Sequence, residues 1–232
     1  MLWIQKKSIN LDINNIKTQE KNGKLYFYHD NIKISPWHDI PLKNGDYYNF
    51  VCEIPKWSRA KFEINTNNEY NPIVQDKENG KPRFYNWGDT LFNYGAFPKT
   101  WENPKFISEY TKKPGDNDPL DVVEISVGAI KKGAIVPVKV IGIIPLIDSG
   151  ETDWKILAIS KYDKFCKKIN NLNDLEKYMP GFLDAITNWL INYKSISKGT
   201  INKIATINDK KIGDEKFAEK IIKETHDEWK KL

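Results

Sequence analysis

Cysteine, histidine and methionine are all scarce, with two, three and two residues in a chain of 232. Cys52 and Cys166 fall in no paired motif, so they read as free thiols in a reducing compartment rather than a disulfide framework. His29, His38 and His226 are scattered and form no H-E-x-x-H pattern, which sets histidine-metal chemistry aside. Neither G-x-S-x-G nor G-x-x-x-x-G-K-[ST] occurs, so serine-hydrolase and P-loop readings drop out. No apolar run approaches the ~20 residues of a membrane span. The opening MLWIQKKSINLD has no signal-peptide core, and its acidic residues come early for a transit peptide. A cytoplasmic, soluble protein is therefore expected, with no membrane partner.

What is present suits a packed domain. Hydrophobic residues make up 40%, including 8 Trp, 11 Tyr and 10 Phe, enough for a sizeable core. The length fits one β-rich domain, or at most two small ones. A net charge of +5 would suit an anionic ligand without demanding nucleic acid. Residues 1–34 are rich in Asn, Lys and Ile, and the alternation in GKLYFYHDNIKI predicts a strand or two, a strand-rich extension ahead of a main domain at 35–232. A strand is predicted over 47–53, and RAKFEIN after it sets Ala60, Phe62 and Ile64 against Arg59, Lys61 and Glu63. A long excursion punctuated by Gly and Pro follows at 66–100, and loops of this length in compact domains are usually functional. DVVEISV, AIVPVKVIGIIPLI and WKILAIS read as strands, with Pro137 and Pro145 marking an edge or a bend. Helical spacing appears only late, first through Phe182, Ile186, Trp189 and Tyr193, then through DEKFAEKIIKETHDEWKKL. The fold class expected is mainly β with α: a small OB-like barrel or curved sheet, long loops on one side, and two C-terminal helices.

The chemistry lies in two acidic clusters. KKPGDNDPLDVVEI packs Asp116, Asp118 and Asp121 against the mouth of a strand. Residues two apart in an extended segment face the same way, so Asp116 and Asp118 can converge and Asp121 can join them past Pro119. Hard divalent cations take several carboxylate oxygens, and Mg²⁺ often shares a substrate phosphate. An EF-hand fails, because Asp121 stands where glycine is needed and Val127 where glutamate is needed. A solvated turn carrying three surface charges is the plain alternative. In DSGETDWK, Asp148, Glu151 and Asp153 surround a glycine turn, with Lys155 on the face of Asp153. The plain reading there is a charged hairpin tip. Two such clusters at strand ends suggest a multi-metal site, where metal pairs clamp phosphoryl oxygens and activate water. Lys61, Arg83, Lys155, Tyr193 and Lys194 are candidate phosphate ligands. Each alone reads as a surface residue in a lysine-rich chain, though Arg83 offers the planar fork that suits phosphate.

GDNDPLDV at 115–122 resembles the signature of the family I soluble inorganic pyrophosphatases. The likeness extends through SPWHDIPL, EIPKWSRAKFEI, NPIVQD, FNYGAFPKTWE, DSGETDWK and KETHDEWKKL, and so spans residue 35 to the C-terminus in order. The tryptophan of EIPKW resembles the eukaryotic branch. The resemblance implies a five-stranded OB-like barrel that hydrolyses pyrophosphate to two phosphates with several Mg²⁺ ions. By position, it implies that Asp116, Asp121 and Asp153 hold the tightest metal, with Asp121 reaching a second and Asp118 orienting or deprotonating the bridging water. It further implies that Asp148 and Asp153 take a metal arriving with substrate, and that Glu53 and Glu63 support the site through waters. Lys61, Arg83, Tyr193 and Lys194 would bind phosphoryl groups beside Lys155, and Tyr94 fits the NYG motif. One departure stands out: where the family has a tyrosine just before NYG, this chain reads GDTLFNYG and places Thr90. A threonine hydroxyl is too weak an acid for the leaving phosphate. That task would fall to metal-bound water, to the Tyr193–Lys194 pair, or to Tyr94. Trp57, in a hairpin loop, is expected at a homodimer contact. A nucleic-acid-binding OB module without catalysis is the alternative, but it needs no acidic clusters.

Overall fold

The computed structural model describes residues 11–207 and 209–232; the first ten residues of the expected N-terminal extension lie outside it. Five strands carry the architecture: β1 (Tyr47–Ile54), β2 (Asn93–Ala96), β3 (Asp121–Glu124), β4 (Ile135–Asp148) and β5 (Glu151–Ser160). They pair in the circular order β4–β5–β3–β2–β1 and back to β4, which closes a five-stranded barrel. β3 and β5 run parallel; the other pairs are antiparallel.

Both faces of these strands are buried, so they read in sequence as near-continuous apolar runs. On one face Val122, Ile156 and Ala158 pack with Ala218, Ile221 and Ile222 of the C-terminal helix α4 (Glu215–Trp229). On the other, Val123, Leu157 and Ile159 meet Leu175 of α1 (Leu172–Tyr178) and Ile186, Trp189 and Leu190 of α2 (Phe182–Asn192). Each fully buried Leu, Ile or Val stabilises the fold by roughly 1.5–3 kcal/mol relative to exposure. Gly181, in the left-handed region at φ +73°, turns the chain into α2, and the Asp214 carboxylate caps α4 by accepting from Phe217 N. α1 and the one-turn α3 (Ser195–Lys198) are additions to the two expected helices. They are too short for a helical period to show in sequence.

One long strand holds both prolines expected at an edge or a bend. Pro137 and Pro145 both lie inside β4, where the register pairs Pro137 with Asn49 of β1 and Pro145 with Trp154 of β5. A register shift between Val140 and Gly142 supplies the bend. At the β1–β2 crossing, a Cβ on Gly95 would stand 2.0 Å from the Val51 carbonyl oxygen, so only glycine lets the backbones approach.

The excursion at 66–100 is more ordered than its Gly/Pro pattern predicts. Ile73–Gln75 pairs with Phe62–Ile64 on one side and with Lys24–Leu25 on the other. The strands Ile16–Lys21, Lys24–His29 and Ile32–Ile34 complete this second sheet. Residues on both sides of position 35 therefore share one sheet and one core, in which Phe27, Ile34 and Ile73 pack with Val51 and Ala96 of the barrel.

Candidate active site

Register places the first site residues. In the parallel pair, Asp121 stands opposite Lys155. The Lys155 ammonium donates to Asp121 Oδ2 at 2.5 Å, to the Asp153 carboxylate, and to the Tyr94 hydroxyl at 2.8 Å. Tyr94 in turn donates to Asp121 Oδ2 at 2.6 Å. Asp153 and Lys155 are 2 apart on β5 and share a face, as the alternation of a strand requires. Both are buried. One ammonium between two carboxylates leaves negative charge uncompensated in a poorly solvated place. Burial pushes Asp153 up to about 7, with Asp121 adding to the rise and Lys155 opposing it. Burial and Asp121 hold the Tyr94 hydroxyl well above its ordinary value, so it stays protonated and acts as a donor.

The Asp116–Asp118 segment is a turn, not the extended piece the spacing suggested. Asn117 is left-handed at φ +75°, and Asp118 N donates to Asp116 Oδ1 at 3.0 Å. The turn leans on residues 102–103: Asn117 N donates to Glu102 O at 2.9 Å, and Glu102 N donates to Asp118 O at 2.9 Å. A Cβ on Gly115 would stand 2.3 Å from Glu102 O, which accounts for that glycine. The turn aims Asp116 inward, where oxygens of Glu102, Asp116 and Asp153 lie within 4.8 Å of one another. At an effective dielectric of ~20, each fully charged pair at that separation repels by about 3 kcal/mol. Burial, then the neighbouring carboxylates, raise both Asp116 and Glu102 well above the carboxylate range. Glu102 Oε1 accepts from Trp154 N at 3.0 Å, while Oε2 is buried without a hydrogen-bond partner. Asp118 is open to solvent at the rim, yet the cleft walls, then Asp121 and Glu63, push it up to about 7.

Cations face this acidic centre from two sides. Lys61 donates to Glu63 Oε2 at 2.5 Å and pairs with Asp76 at 3.2 Å; Arg83 donates to the same Asp76 oxygen at 2.8 Å. Burial works against the Lys61 charge, but Glu63 foremost overcomes it and holds the ammonium protonated. Glu53 lies beneath, its Oε1 accepting from Ile64 N at 2.7 Å; burial, then Asp121, raise it well above its ordinary range. Opposite, the β4–β5 turn presents Asp148, which accepts from the Tyr193 hydroxyl at 2.7 Å and from the Lys194 ammonium. Although burial opposes it, these bonds hold Asp148 below the usual carboxylate range.

The aspartates, lysines and tyrosines expected at the site gather at the barrel mouth, with Asp118 in electrostatic reach of Lys61 and Glu63 and Lys155 in reach of Tyr193. Thr90 does not. It is buried, its hydroxyl donates to Pro55 O at 3.2 Å, and its carbonyl accepts from Trp57 N at 2.8 Å, so it pins the 55–58 turn. Three further residues reach the cleft. Glu102 follows an aromatic loop with no acidic neighbour in sequence to flag it. Asp76 and Tyr85 lie in the excursion at 66–100, which shows no strand period in sequence, and the one available signal was the place of Tyr85 two residues after Arg83.

Hard oxygen donors at the centre and fixed cations around them define the class of metal-dependent enzymes acting on phosphate anhydrides. The family described as inorganic pyrophosphatase matches residues 50–230, and the chain belongs to that family. Inorganic pyrophosphatase 1 of Caenorhabditis elegans is 42% identical over 206 residues, covering 86% of this chain and 48% of that one. The chain therefore spans about half the length of that relative. A solved inorganic pyrophosphatase from Schistosoma japonicum has a TM-score of 0.88 at 38% identity, covering 94% of this chain and 80% of its own. A Trypanosoma cruzi vacuolar soluble pyrophosphatase lacking its N-terminal domain, solved in complex with PPi, has a TM-score of 0.86 at 38% identity and covers 100% and 98% of the two chains.

Proposed function

We propose that this chain hydrolyses inorganic pyrophosphate to two phosphates, using several Mg²⁺ ions held by Asp116, Asp121, Asp148 and Asp153. Family membership supports the reaction, and the observation that carries the site is the cluster of Glu102, Asp116 and Asp153 with its cationic flanks. The donor set fits a hard divalent cation. All three ligand atoms are oxygens within 4.8 Å, and Glu102 Oε2 is a buried acceptor with nothing to accept from. Bound there, such ions offset the charge of the substrate and acidify the attacking water. Asp118, open at the rim, accepts the proton of that water. Lys61, Arg83, Lys155, Lys194 and the Tyr193 hydroxyl take the phosphoryl oxygens. Glu63 and Asp76 keep Lys61 and Arg83 oriented, and Glu53 and Glu63 brace the metal side. Burial, then Asp148, raise Tyr193 well above its ordinary value, so it serves as a hydrogen-bond donor, as does Tyr94. A polynucleotide backbone would meet an acidic centre here, which disfavours a nucleic-acid role. We place the protein in the cytoplasm, on the two free buried thiols.

Phosphate release from pyrophosphate with Mg²⁺ is expected, and excess chelator is expected to abolish it. Equal activity in chelator would rule out the metal mechanism; no activity with any divalent metal would rule out the enzyme.

The assembly proposed is a homodimer with Trp57 at the contact. Trp57 is 60% exposed at φ +64°, and Phe84 and Trp87 on neighbouring loops are exposed too, an apolar patch of the kind that marks interfaces. Light scattering is expected to give twice the chain mass, and Trp57→Ser is expected to shift the species toward monomer. A monomer mass at every concentration would refute it.

A further inference from the structure

Tyr85 has no assigned role, yet its position is specific. Its N–H donates to Arg59 O at 2.7 Å, and the next rung, Lys61 N to Arg83 O at 3.1 Å, fixes the same segment beside the phosphate-binding cations. The ring is wedged edge-on against Trp189, centroids 4.9 Å apart, and against Tyr193 at 5.6 Å. Such edge contacts hold a ring in one orientation and leave it few alternatives. Only 5% of the residue is exposed. Its hydroxyl has no hydrogen-bond partner among the described residues, and it is not one of the sealed, unpartnered atoms, so the small exposed part includes the hydroxyl. Three cations bear on it from around the cleft, Lys61, Arg83 and Lys155, ahead of one carboxylate, Asp121. Burial nevertheless pushes it up to about 12, so the hydroxyl keeps its proton and remains a donor.

We infer that the Tyr85 hydroxyl is a further substrate ligand, donating a hydrogen bond to a phosphoryl oxygen held between the Lys61–Arg83 side and the Lys155 side of the cleft. A rigid ring, an unspent donor and a cationic surround point to an anionic oxygen acceptor and to little else. The exposed tip donates to water when no ligand is present, and a phosphate oxygen beside the same cations offers a stronger, charge-assisted bond in its place. Thr90, bonded within its own turn, cannot supply this contact. The inference rests on the pyrophosphatase reading.

The test is titration of the Mg²⁺-loaded protein with methylenediphosphonate, a non-hydrolysable diphosphonate, alongside pyrophosphate turnover. Tyr85→Phe keeps the ring packing and removes one donor. It is expected to weaken diphosphonate binding roughly 10- to 100-fold, the loss of one bond to a charged group, with Mg²⁺ affinity and melting temperature unchanged. Thr90→Val is expected to bind the diphosphonate like the wild type while melting earlier. Wild-type affinity and turnover in Tyr85→Phe would overturn the inference, as would a loss matched by equal losses in Mg²⁺ affinity and thermal stability. If Tyr85→Phe does not melt cooperatively, Tyr85→Met, which retains apolar volume, is titrated in its place against the same criteria. A wild-type protein that neither binds the diphosphonate nor hydrolyses pyrophosphate would instead refute the pyrophosphatase reading itself.

Discussion

Asp118→Asn is expected to lower turnover by roughly 10²–10⁴-fold, the usual contribution of a positioned acid–base group, while Mg²⁺ affinity changes only a few-fold. The side chain is open at the rim, and the hydrogen bond that shapes its turn is donated by its own backbone to Asp116, so an amide in its place leaves the turn intact. What the amide lacks is the capacity to take a proton. Asp121→Asn is expected to damage both properties. Asp121 accepts from Lys155 and from Tyr94, and its charge holds the ammonium between β3 and β5. Removing that charge leaves a buried ammonium under-compensated, which costs several kcal/mol in comparable pairs. Mg²⁺ titration calorimetry with turnover at saturating Mg²⁺ separates the two variants. An Asp118→Asn protein that loses the metal yet turns over normally would reverse the assignment.

Chelated protein is expected to lose stability as pH rises from about 6.5 to 8, and Mg²⁺ is expected to restore it. Burial raises Asp153 to about 7 in the folded chain from 3.8 as its ordinary value, and it raises Asp116, Glu102 and Glu53 well above theirs. The folded state therefore binds more protons than the unfolded state across this window. For carboxylates raised in this way, stability is full below the unfolded value and is lost as pH climbs through the folded one. His38 works in the opposite sense, because burial lowers it to about 4, but it stops contributing above its unfolded value of 6.5. Asp153 by itself places the loss at about 1 kcal/mol, a few degrees in melting temperature for a chain of this size, and the other raised carboxylates act in the same direction. Mg²⁺ binds the deprotonated oxygens, so the loaded protein should melt higher and with a flatter pH dependence. Scanning calorimetry at several pH values, with chelator and with Mg²⁺, checks both. A melting temperature that rises with pH in chelator would contradict this account of the acidic centre.

The barrel strands were legible because both faces are buried, so DVVE, IVPVKVIGIIPLI and WKILAIS stand out as apolar runs whatever their partners. The acidic clusters were legible because the chain carries them in compact pieces at strand ends. What escaped depends on contacts between distant segments. Ile73–Gln75 becomes a strand by pairing with Phe62–Ile64 and Lys24–Leu25, and three residues beside a proline show no period of their own. Glu102 enters the cluster only because the Gly115 turn folds back on its carbonyl. Asp116 and Asp118 were read as neighbours on one face, whereas the left-handed Asn117 sends one inward and leaves the other at the rim. Thr90 shows the limit of position-matching: the residue at the expected place in the chain is spent on holding a turn.

Asp121 faces Lys155 across the parallel pair of the barrel, and that pairing has a consequence for how the chain comes alive. A slip of one residue would put Trp154 or Ile156 where the ammonium belongs and turn every side chain of the strand to the wrong face. The β4–β5 hairpin can zip locally, whereas the parallel pair must bring together segments far apart in the chain and pay its loop-closure entropy first. The contact between Asp121 and Lys155 is thus made only when that parallel pair forms. A nascent or refolding molecule therefore lacks this ion pair until β3 and β5 are in register.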